Sequence, residues 1–298
     1  MELLRLIESF RTPFLDITFG IVTRLGEETV AIVIICAIFW CINKRAAYGI
    51  GVAFFFSGLT VQGMKICFRI DRPWIADTTL RPVPSALGNA TGYSFPSGHT
   101  QSATALFGSL GVQIKRKSIK VLCFTAVFLV AFSRLYLGVH TPLDVAVSLL
   151  ISFLLIFLTT VALDPGKADK KREFIIFTVM ALYAAAIIVI AVVLYLNGTI
   201  VYGYVADCLK AAGAGIGFAA GMFIERVYID FSVKTKNIFW QAIKFILGIA
   251  GVLAIKEGLK MIIGTSLIAD IVRYFLMTTW VTVGFPLIIK RFFAASES

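Results

Sequence analysis

The chain has 298 residues, of which 59% are apolar and 15% charged, and its mean hydropathy is +0.90. Soluble domains contain about a quarter charged residues, so this composition excludes a water-soluble globular protein. The length accommodates about eight or nine membrane crossings, at roughly 20 residues per helix plus a short loop. The apolar residues come in long uninterrupted runs. Such runs disfavour a transmembrane β-barrel, whose strands alternate apolar and polar residues.

The N-terminal residues mix charged and apolar side chains. Over residues 1–11, leucines, Ile7 and Phe10 recur at helical spacing among two glutamates and two arginines. This pattern is typical of a helix that lies in the membrane interface. We therefore assign residues 1–28 to an interfacial N-terminal helix.

Nine apolar segments follow in the remaining sequence. They cover about 29–42, 46–66, 100–114, 121–139, 142–163, 173–196, 204–224, 238–254 and 267–289. Long apolar runs of this kind predict membrane-spanning helices. The predicted fold is an all-α polytopic transmembrane helical bundle with about nine spanning helices. A stretch rich in basic residues, 164–172, separates a catalytic core at 29–163 from additional C-terminal helices at 164–298.

Basic residues are unevenly distributed between the connecting loops. One alternating set of loops contains 15 of the 28 basic residues, namely Lys44, Arg45, Lys115, Arg116, Lys117, Lys120, Lys167, Lys170, Lys171, Arg172, Arg226, Lys234, Lys236, Lys290 and Arg291. The positive-inside rule assigns these loops and the C-terminus to the cytoplasm. The basic excess over 17 acidic residues therefore indicates topology, and we expect no nucleic-acid partner.

Five cysteines lie within apolar runs or at their edges, namely Cys36, Cys41, Cys67, Cys123 and Cys208. Their spacing matches neither a zinc site nor the disulfide framework of a secreted protein. We interpret them as small buried apolar residues.

Lys65 and Arg72 lie at the non-cytoplasmic end of an apolar segment, and Pro73 follows them. Their separation of seven residues is close to two helical turns. The sequence therefore predicts both cations on one helix face, with the helix ending near Pro73. Two cations at a helix end suit a dianion. Snorkelling to anionic lipid headgroups explains this pair equally well.

Ser97, Gly98 and His99 immediately precede the next apolar helix. Ser97 is a favourable N-cap, and Gly98 lets a ligand approach the backbone closely. The free N–H groups and the positive dipole of a helix start favour phosphate. An ordinary helix cap also explains Ser97, but it gives no role to His99, which is one of only two histidines.

The other histidine, His140, lies between Arg134 and Asp144 on the same predicted face. Thr141, Pro142 and Asp144 fit an N-cap, a first-turn proline and the acidic member of a capping box. Asp144 follows His140 by one helical turn, so it can also orient the imidazole, as in a catalytic triad. The capping and orienting roles are compatible.

Three ordered patterns thus occur on one predicted membrane face: Lys-x6-Arg-Pro, Pro-Ser-Gly-His and Ser-Arg-x5-His-x3-Asp. Together they resemble the three-part signature of the type 2 phosphatidic acid phosphatase superfamily, with every signature position present. The resemblance covers about residues 30–163. It implies an integral membrane phosphatase that acts on lipid phosphates.

The resemblance also implies a role for each signature residue. His140 would attack phosphorus to form a phosphohistidine, Asp144 would orient it, and His99 would act as general acid and then as general base. The phosphate-binding residues would be Lys65, Arg72, Ser97, Gly98 and Arg134. No metal or other cofactor is implied.

The C-terminal half repeats glycine at intervals of four residues, at Gly213, Gly217 and Gly221. Small residues at this spacing permit close packing of helices or dimerisation. A homo-oligomer that forms through these glycines is therefore one expectation.

The leading hypothesis is a multi-pass cell-membrane phosphatase that hydrolyses a lipid phosphomonoester, such as a sphingolipid phosphate, or an isoprenoid diphosphate, such as undecaprenyl diphosphate. Its partner would be the lipid phosphate, bound on the non-cytoplasmic side. Two alternatives stay open. A phosphotransferase would pass the phosphoryl group of the same phosphohistidine to an alcohol, and a non-enzymatic protein would bind or transport a lipid headgroup.

Overall fold

The computed structural model describes residues 1–88, 90–163 and 169–293. Within these ranges the regular secondary structure is entirely helical, so the all-α prediction is confirmed. The α-helices are α1 (Glu2–Ser9), α2 (Pro13–Val22), α3 (Glu28–Ala37), α4 (Lys44–Phe68), α5 (Pro73–Ala76), α6 (Pro84–Leu87), α7 (Gly98–Ala103), α8 (Ser109–Gln113), α9 (Lys117–Tyr136), α10 (Pro142–Ala162), α11 (Lys170–Leu196), α12 (Tyr202–Ile224), α13 (Ile238–Leu253), α14 (Leu259–Ile263), α15 (Leu267–Thr279) and α16 (Phe285–Phe292).

Several α-helices continue into helical segments of a different pitch. A 3₁₀ turn, Thr23–Gly26, follows α2. The π-helical segments are Ile38–Ile42, Thr104–Gly108, Glu225–Ile229, Ala254–Gly258 and Trp280–Gly284. They join neighbouring α-helices or extend them, so the helical runs are longer than the separate α-helices.

Seven helical runs in the described chain are long and apolar enough to cross a membrane. They are Lys44–Ala76, which includes both α4 and α5, Lys117–Tyr136, Pro142–Ala162, Lys170–Leu196, Tyr202–Ile229, Ile238–Ile263 and Leu267–Phe292. Counting Pro13–Gly26 and Glu28–Ile42, which meet at a bend of 52°, as one broken span gives eight. The difference from nine arises at two predicted segments. Segment 29–42 is too short to span alone, and the run at 100–114 reaches about 24 Å against the roughly 30 Å of a bilayer core.

Gly213 and Gly217 of α12 face α15, and Gly221 faces the π-helical segment Trp280–Gly284 that follows α15. A Cβ atom at Gly213 would lie 2.5 Å from the carbonyl oxygen of Ile271, and one at Gly217 would lie 2.4 Å from that of Phe275. The repeat therefore serves close packing of two helices within the chain. This surface is occupied, so a homo-oligomer, which stays a prediction, needs a different contact.

Gly217→Ala is expected to destabilise the protein by about 1–3 kcal/mol, because the added methyl group would overlap the backbone of α15. Gly203→Ala is the matched control. Gly203 lies in the same helix, a Cβ there would meet no atom within 4 Å, and alanine favours the helix. Thermal unfolding in detergent measures the difference. Equal melting temperatures for the two variants would contradict this packing.

The chain divides into two compact units. The first contains Met1–Ile32 and Thr60–Thr159, and the second contains Val33–Leu59 and Thr160–Ser298. The sequence-based domains at 1–28, 29–163 and 164–298 stay predictions. Most of the predicted boundary stretch, residues 164–168, lies outside the described residues.

The first unit has a buried apolar core formed by Val83, Ala86, Tyr136, Leu137 and Val139. Side chains of the N-terminal helices and of α5 pack against it, among them Ile7, Leu15, Phe19 and Trp74. Three of the core residues lie just before His140. The core therefore fixes the turn that carries this histidine.

The cysteines differ in exposure. Cys36, Cys123 and Cys208 are buried, Cys41 is half-buried and Cys67 is exposed. The expectation of burial was wrong for Cys67. Its side chain follows Lys65 by two residues, which places the two on nearly opposite sides of α4.

Candidate active site

The first predicted motif folds differently from the expectation. α4 ends at Phe68, because Arg69 takes a left-handed conformation with a φ of 49°. Arg72 therefore lies outside that helix, as the extended N-cap residue of α5. The prediction that Lys65 and Arg72 share one helix face was wrong, since the chain turns before it reaches Pro73.

Lys65 and Arg72 nevertheless meet at one loop segment, residues 91–93. Lys65 Nζ donates to the carbonyl oxygen of Tyr93 at 3.1 Å. Arg72 donates from Nε to the carbonyl of Gly92 at 3.0 Å and from Nη2 to that of Thr91 at 2.7 Å. Backbone carbonyls of this loop thus bring the two cations together.

The second motif begins α7 with Ser97 as N-cap. Its Oγ accepts from the backbone N–H of Thr100 at 3.4 Å and from the Thr100 hydroxyl at 3.0 Å. As an acceptor in both bonds, the Ser97 hydroxyl keeps its own proton for a ligand. A Cβ atom at Gly98 would meet no described atom within 4 Å. A ligand can therefore approach the backbone at this helix start.

His140 is buried between Asp144 and Arg72. Its Nδ1 lies 3.3 Å from Asp144 Oδ2, and its Nε2 lies 3.0 Å from Arg72 Nη1. A carboxylate only accepts and a guanidinium only donates, so Nδ1 carries the proton and Nε2 keeps its lone pair. The contacts hold the tautomer with the proton on Nδ1, in which the Nε2 lone pair accepts from Arg72.

The Oδ2 atom of Asp144 accepts from three donors. Ser94 Oγ lies at 2.5 Å, the backbone nitrogen of Thr141 at 2.8 Å and His140 Nδ1 at 3.3 Å. The hydroxyl of Thr141 accepts in return from the Asp144 backbone N–H at 3.2 Å, which completes a capping box. The carboxylate therefore caps α10 and contacts His140 at the same time.

Burial lowers the pKa of His140 well below its ordinary value of 6.5, and the cations Arg72, Arg134 and Lys65 lower it further. Both causes disfavour the charged imidazolium, the first by desolvation and the second by like-charge repulsion. The side chain is therefore neutral at physiological pH, as a nucleophile must be.

Two buried nitrogen atoms beside the histidines are unsatisfied. Arg134 is 1% exposed and donates from Nη1 to the Thr23 hydroxyl at 2.6 Å. Its Nε has no hydrogen-bond partner among the described residues, and neither has His99 Nε2. Such atoms are unfavourable unless a ligand or water satisfies them. They indicate where a polar ligand would bind.

The structure brings all of the predicted site residues into the first unit. The charges of Lys65, Arg72 and Arg134 act on both His99 and His140. Cations arranged around two imidazoles, beside an accessible helix start, suit a phosphate dianion. The geometry can hold a phosphoryl group next to Nε2 of His140.

Two contact residues escaped the sequence reasoning, Ser94 and Thr23. Ser94 lies 50 residues from Asp144 in the sequence, and Thr23 lies 111 residues from Arg134. Contacts of such long range leave no spacing pattern in one sequence. The one local signal was the position of Ser94, three residues before Ser97.

Ser94→Ala is expected to lower kcat for phosphate release by about 10- to 100-fold with little change in KM, because Asp144 loses a hydrogen bond to its charge. Ser148→Ala is the control. The Ser148 hydroxyl donates only to backbone carbonyls, those of Ser97 at 2.9 Å and Asp144 at 2.8 Å, among its described bonds. Steady-state kinetics on one lipid phosphate would compare them. A similar fall in kcat for both variants would argue against a specific role of Ser94 in orienting Asp144.

Two family models match the chain. Residues 46–168 match the model described as PAP2 superfamily. Residues 209–297 match the model described as PAP2 superfamily phosphatase, transmembrane extension. All eight predicted site residues lie within the first match.

Similar proteins include a "Probable sphingosine-1-phosphate phosphatase" of Dictyostelium discoideum, which is 30% identical over 172 residues. That match covers 52% of this chain and only 40% of the relative's length. "Phosphatidylglycerophosphatase B" of Bacillus subtilis (strain 168) is 27% identical over 182 residues, which cover 55% of this chain and 80% of the relative. The crystal structure of Aquifex aeolicus LpxE aligns with a TM-score of 0.47 and 28% identity, covering 53% of this chain and 93% of that one.

Proposed function

Because the chain belongs to the PAP2 superfamily, we propose that it is an integral membrane phosphatase that hydrolyses a lipid phosphate. Matches at 46–168 and 209–297 support the assignment. The names of two relatives, for sphingosine-1-phosphate and phosphatidylglycerophosphate phosphatases, support a lipid substrate. The expected substrates are lipid phosphomonoesters and isoprenoid diphosphates.

The observation that carries the proposal is the placement of His140. Its Nδ1 faces the Asp144 carboxylate at 3.3 Å, and its Nε2 faces the Arg72 guanidinium at 3.0 Å. A phosphate that bonds to Arg72 would therefore lie next to the lone pair of Nε2. In the structure this lone pair accepts an Arg72 N–H, and the bound phosphate takes over that N–H so that Nε2 can attack phosphorus.

In the proposed first step, Nε2 of His140 bonds to phosphorus and the P–O bond to the lipid breaks. Burial and then the cations Arg134, Lys65 and Arg72 lower the pKa of His99 in the free protein, and the negative charge of the bound phosphate raises it again. The protonated His99 then donates its proton to the departing oxygen. The positive charge that develops on the phosphorylated imidazole is stabilised by Asp144. The cations Lys65, Arg72 and Arg134 stabilise the charge on the phosphoryl oxygens, with Ser97 and the Gly98 backbone N–H as further donors.

In the second step, His99 accepts a proton from water as the water oxygen bonds to phosphorus. The P–N bond to His140 then breaks, inorganic phosphate leaves, and the imidazole returns to its neutral form. Both steps use the same cations, so one phosphate position serves the whole cycle. A lipid alcohol in place of water would turn hydrolysis into phosphotransfer.

We place this site at the non-cytoplasmic membrane face, with the C-terminus in the cytoplasm. The loops that hold 15 of the 28 basic residues alternate along the chain with the loops that carry the site residues. The positive-inside rule assigns the basic loops to the cytoplasm, which puts the site on the other face. A headgroup at the membrane interface can reach the helix ends while the lipid tails stay in the bilayer.

Phosphate release by purified protein in detergent tests the proposal. The substrates are phosphatidate, phosphatidylglycerophosphate, sphingoid phosphates and polyprenyl diphosphates, and the His140→Ala protein is the blank. We expect release from at least one lipid. Correctly folded protein that releases phosphate from none of them would overturn the proposal.

Lys65→Met is expected to move the acid limb of the kcat/KM profile to higher pH. Burial, then the cations Arg72, Arg134 and Lys65, lower the pKa of His140. Removing one cation therefore raises that pKa, and the nucleophile becomes protonated at a higher pH. The wild-type and variant profiles are measured on the same substrate, so the ionisation of that substrate affects both profiles equally. A limb that stays in place, or moves to lower pH, would contradict this account of His140.

A further inference from the structure

We propose that the N-terminal segment, residues 1–26, supports the active site through Arg11, Thr23 and Gly26, and that Thr23 is a positioning residue for Arg134. The proposal rests on the phosphatase function given above. The segment lies before the matched family region, which begins at residue 46. It nevertheless belongs to the same compact unit as every predicted site residue.

The first contact joins the segment to the third motif. Thr23 Oγ1 accepts a hydrogen bond from Arg134 Nη1 at 2.6 Å, and both residues are buried. The Nε of Arg134 has no partner in the described chain. One nitrogen of the guanidinium is thus fixed by the N-terminal segment, and another remains for a ligand.

The second contact joins the same turn to the second motif. A Cβ atom at Gly26 would lie 2.6 Å from the backbone oxygen of His99 and 3.0 Å from its Cβ. Gly26 closes the 3₁₀ turn that Thr23 opens. The turn Thr23–Gly26 therefore packs against His99 and accepts a hydrogen bond from Arg134, whose charge acts on both histidines.

A third contact braces the turn before His140. Arg11 Nε donates to the carbonyl oxygen of Tyr136 at 2.8 Å. A Cβ atom at Gly138 would lie 2.6 Å from Arg11 Nη2, and Gly138 has a φ of +72°. Glycine is therefore favoured at this position by its backbone conformation. The N-terminal segment holds the third motif at two points.

The consequence concerns the phosphoryl oxygens. Arg134 presents its guanidinium in one orientation because the Thr23 hydroxyl fixes Nη1. Without that hydroxyl, a buried N–H loses its acceptor and the side chain turns toward other carbonyl groups. The charge then moves away from the position where negative charge develops on the substrate. Thr23 acts through Arg134 and does not touch the substrate.

Thr23→Val keeps the side-chain shape and removes the hydroxyl, whereas Thr23→Ser keeps the hydroxyl. Thr18→Val is the control, because the Thr18 hydroxyl donates to Phe14 within its own helix. The readouts are kcat and KM on a lipid phosphate and inhibition by orthovanadate. For Thr23→Val we expect kcat/KM to fall by about 10- to 100-fold and vanadate inhibition to weaken similarly. Thr23→Ser and Thr18→Val should stay close to wild type.

A double-mutant cycle separates positioning from a purely structural role. In an Arg134→Met background, Thr23→Val should lower activity no further. An undiminished effect in that background, or wild-type kinetics for Thr23→Val, would overturn the proposal. Thr23→Ala replaces Thr23→Val in the cycle if the valine protein does not fold.

Failure of the phosphatase proposal would be visible separately. If wild-type protein released no phosphate from any lipid, calorimetric titration with inorganic phosphate and with orthovanadate would still compare it with Thr23→Val. Weaker binding to Thr23→Val would support the role of Thr23 in holding Arg134. Equal binding of both anions would overturn it.

Discussion

Replacing His140 by alanine is expected to abolish phosphate release from every lipid that the wild-type protein accepts, by at least about a thousandfold in kcat. The reason is geometric. Nε2 of His140 is the nitrogen that faces the Arg72 guanidinium at 3.0 Å, while Nδ1 faces Asp144. The other histidine, His99, has no partner at Nε2 among the described residues. The measurement is phosphate release under single-turnover and steady-state conditions.

The control for His140→Ala is its binding of orthovanadate, which depends mainly on the cations that remain. We expect the variant to bind the anion while it fails to hydrolyse lipid. If the protein instead binds or transports a lipid headgroup without hydrolysis, that binding or transport should be largely intact in His140→Ala. That result, or a variant that hydrolyses within tenfold of the wild type, would contradict the nucleophilic role.

Local chemistry in the sequence was sufficient to predict the helix caps at the candidate site. Ser97 caps α7, and Thr141 and Asp144 form the capping box of α10, because such caps depend on residues three apart. The pair His140 and Asp144 also meets within one helical turn, which α10 imposes. These interactions are encoded over a few neighbouring residues, so a single sequence reveals them.

Contacts between distant segments could not be predicted in this way. Ser94 reaches Asp144 and Thr23 reaches Arg134 only after the helices have packed. Helix propensity likewise did not reveal that Arg69 ends α4, because one left-handed residue is a small local change. The convergence of Lys65 and Arg72 on the loop at 91–93 therefore had to be seen in the structure.

The predicted number of spanning helices was inexact for a related reason. Apolar composition predicted segments 29–42 and 100–114 but did not give the length or bend of each helix. Glu28–Ile42 meets Pro13–Gly26 at 52°, and Gly98 begins the other run close to the site. Such departures from regular spans arise from tertiary packing.

Replacing His99 by alanine is expected to lower kcat on lipid phosphates by about 10²- to 10⁴-fold, because the alkoxide then leaves without a proton. The unpartnered Nε2 atom of His99 supports this role. His99 Nε2 is buried and has no partner among the described residues, so it is available to a ligand. Gly26 packs against the His99 backbone, which fixes the position of the ring. Steady-state kinetics with the lipid substrate that the wild type prefers would give the fold-change.

A substrate with a good leaving group separates the two steps assigned to His99. With p-nitrophenyl phosphate, departure of nitrophenolate needs little protonation, whereas attack by water still needs a base. We expect His99→Ala to release a burst of nitrophenolate and then stall, with an acid-labile phosphohistidine accumulating on His140. Added imidazole should restore turnover by supplying the missing base. Slow release without a burst, or a burst that persists in the double variant with His140→Ala, would contradict this division of roles.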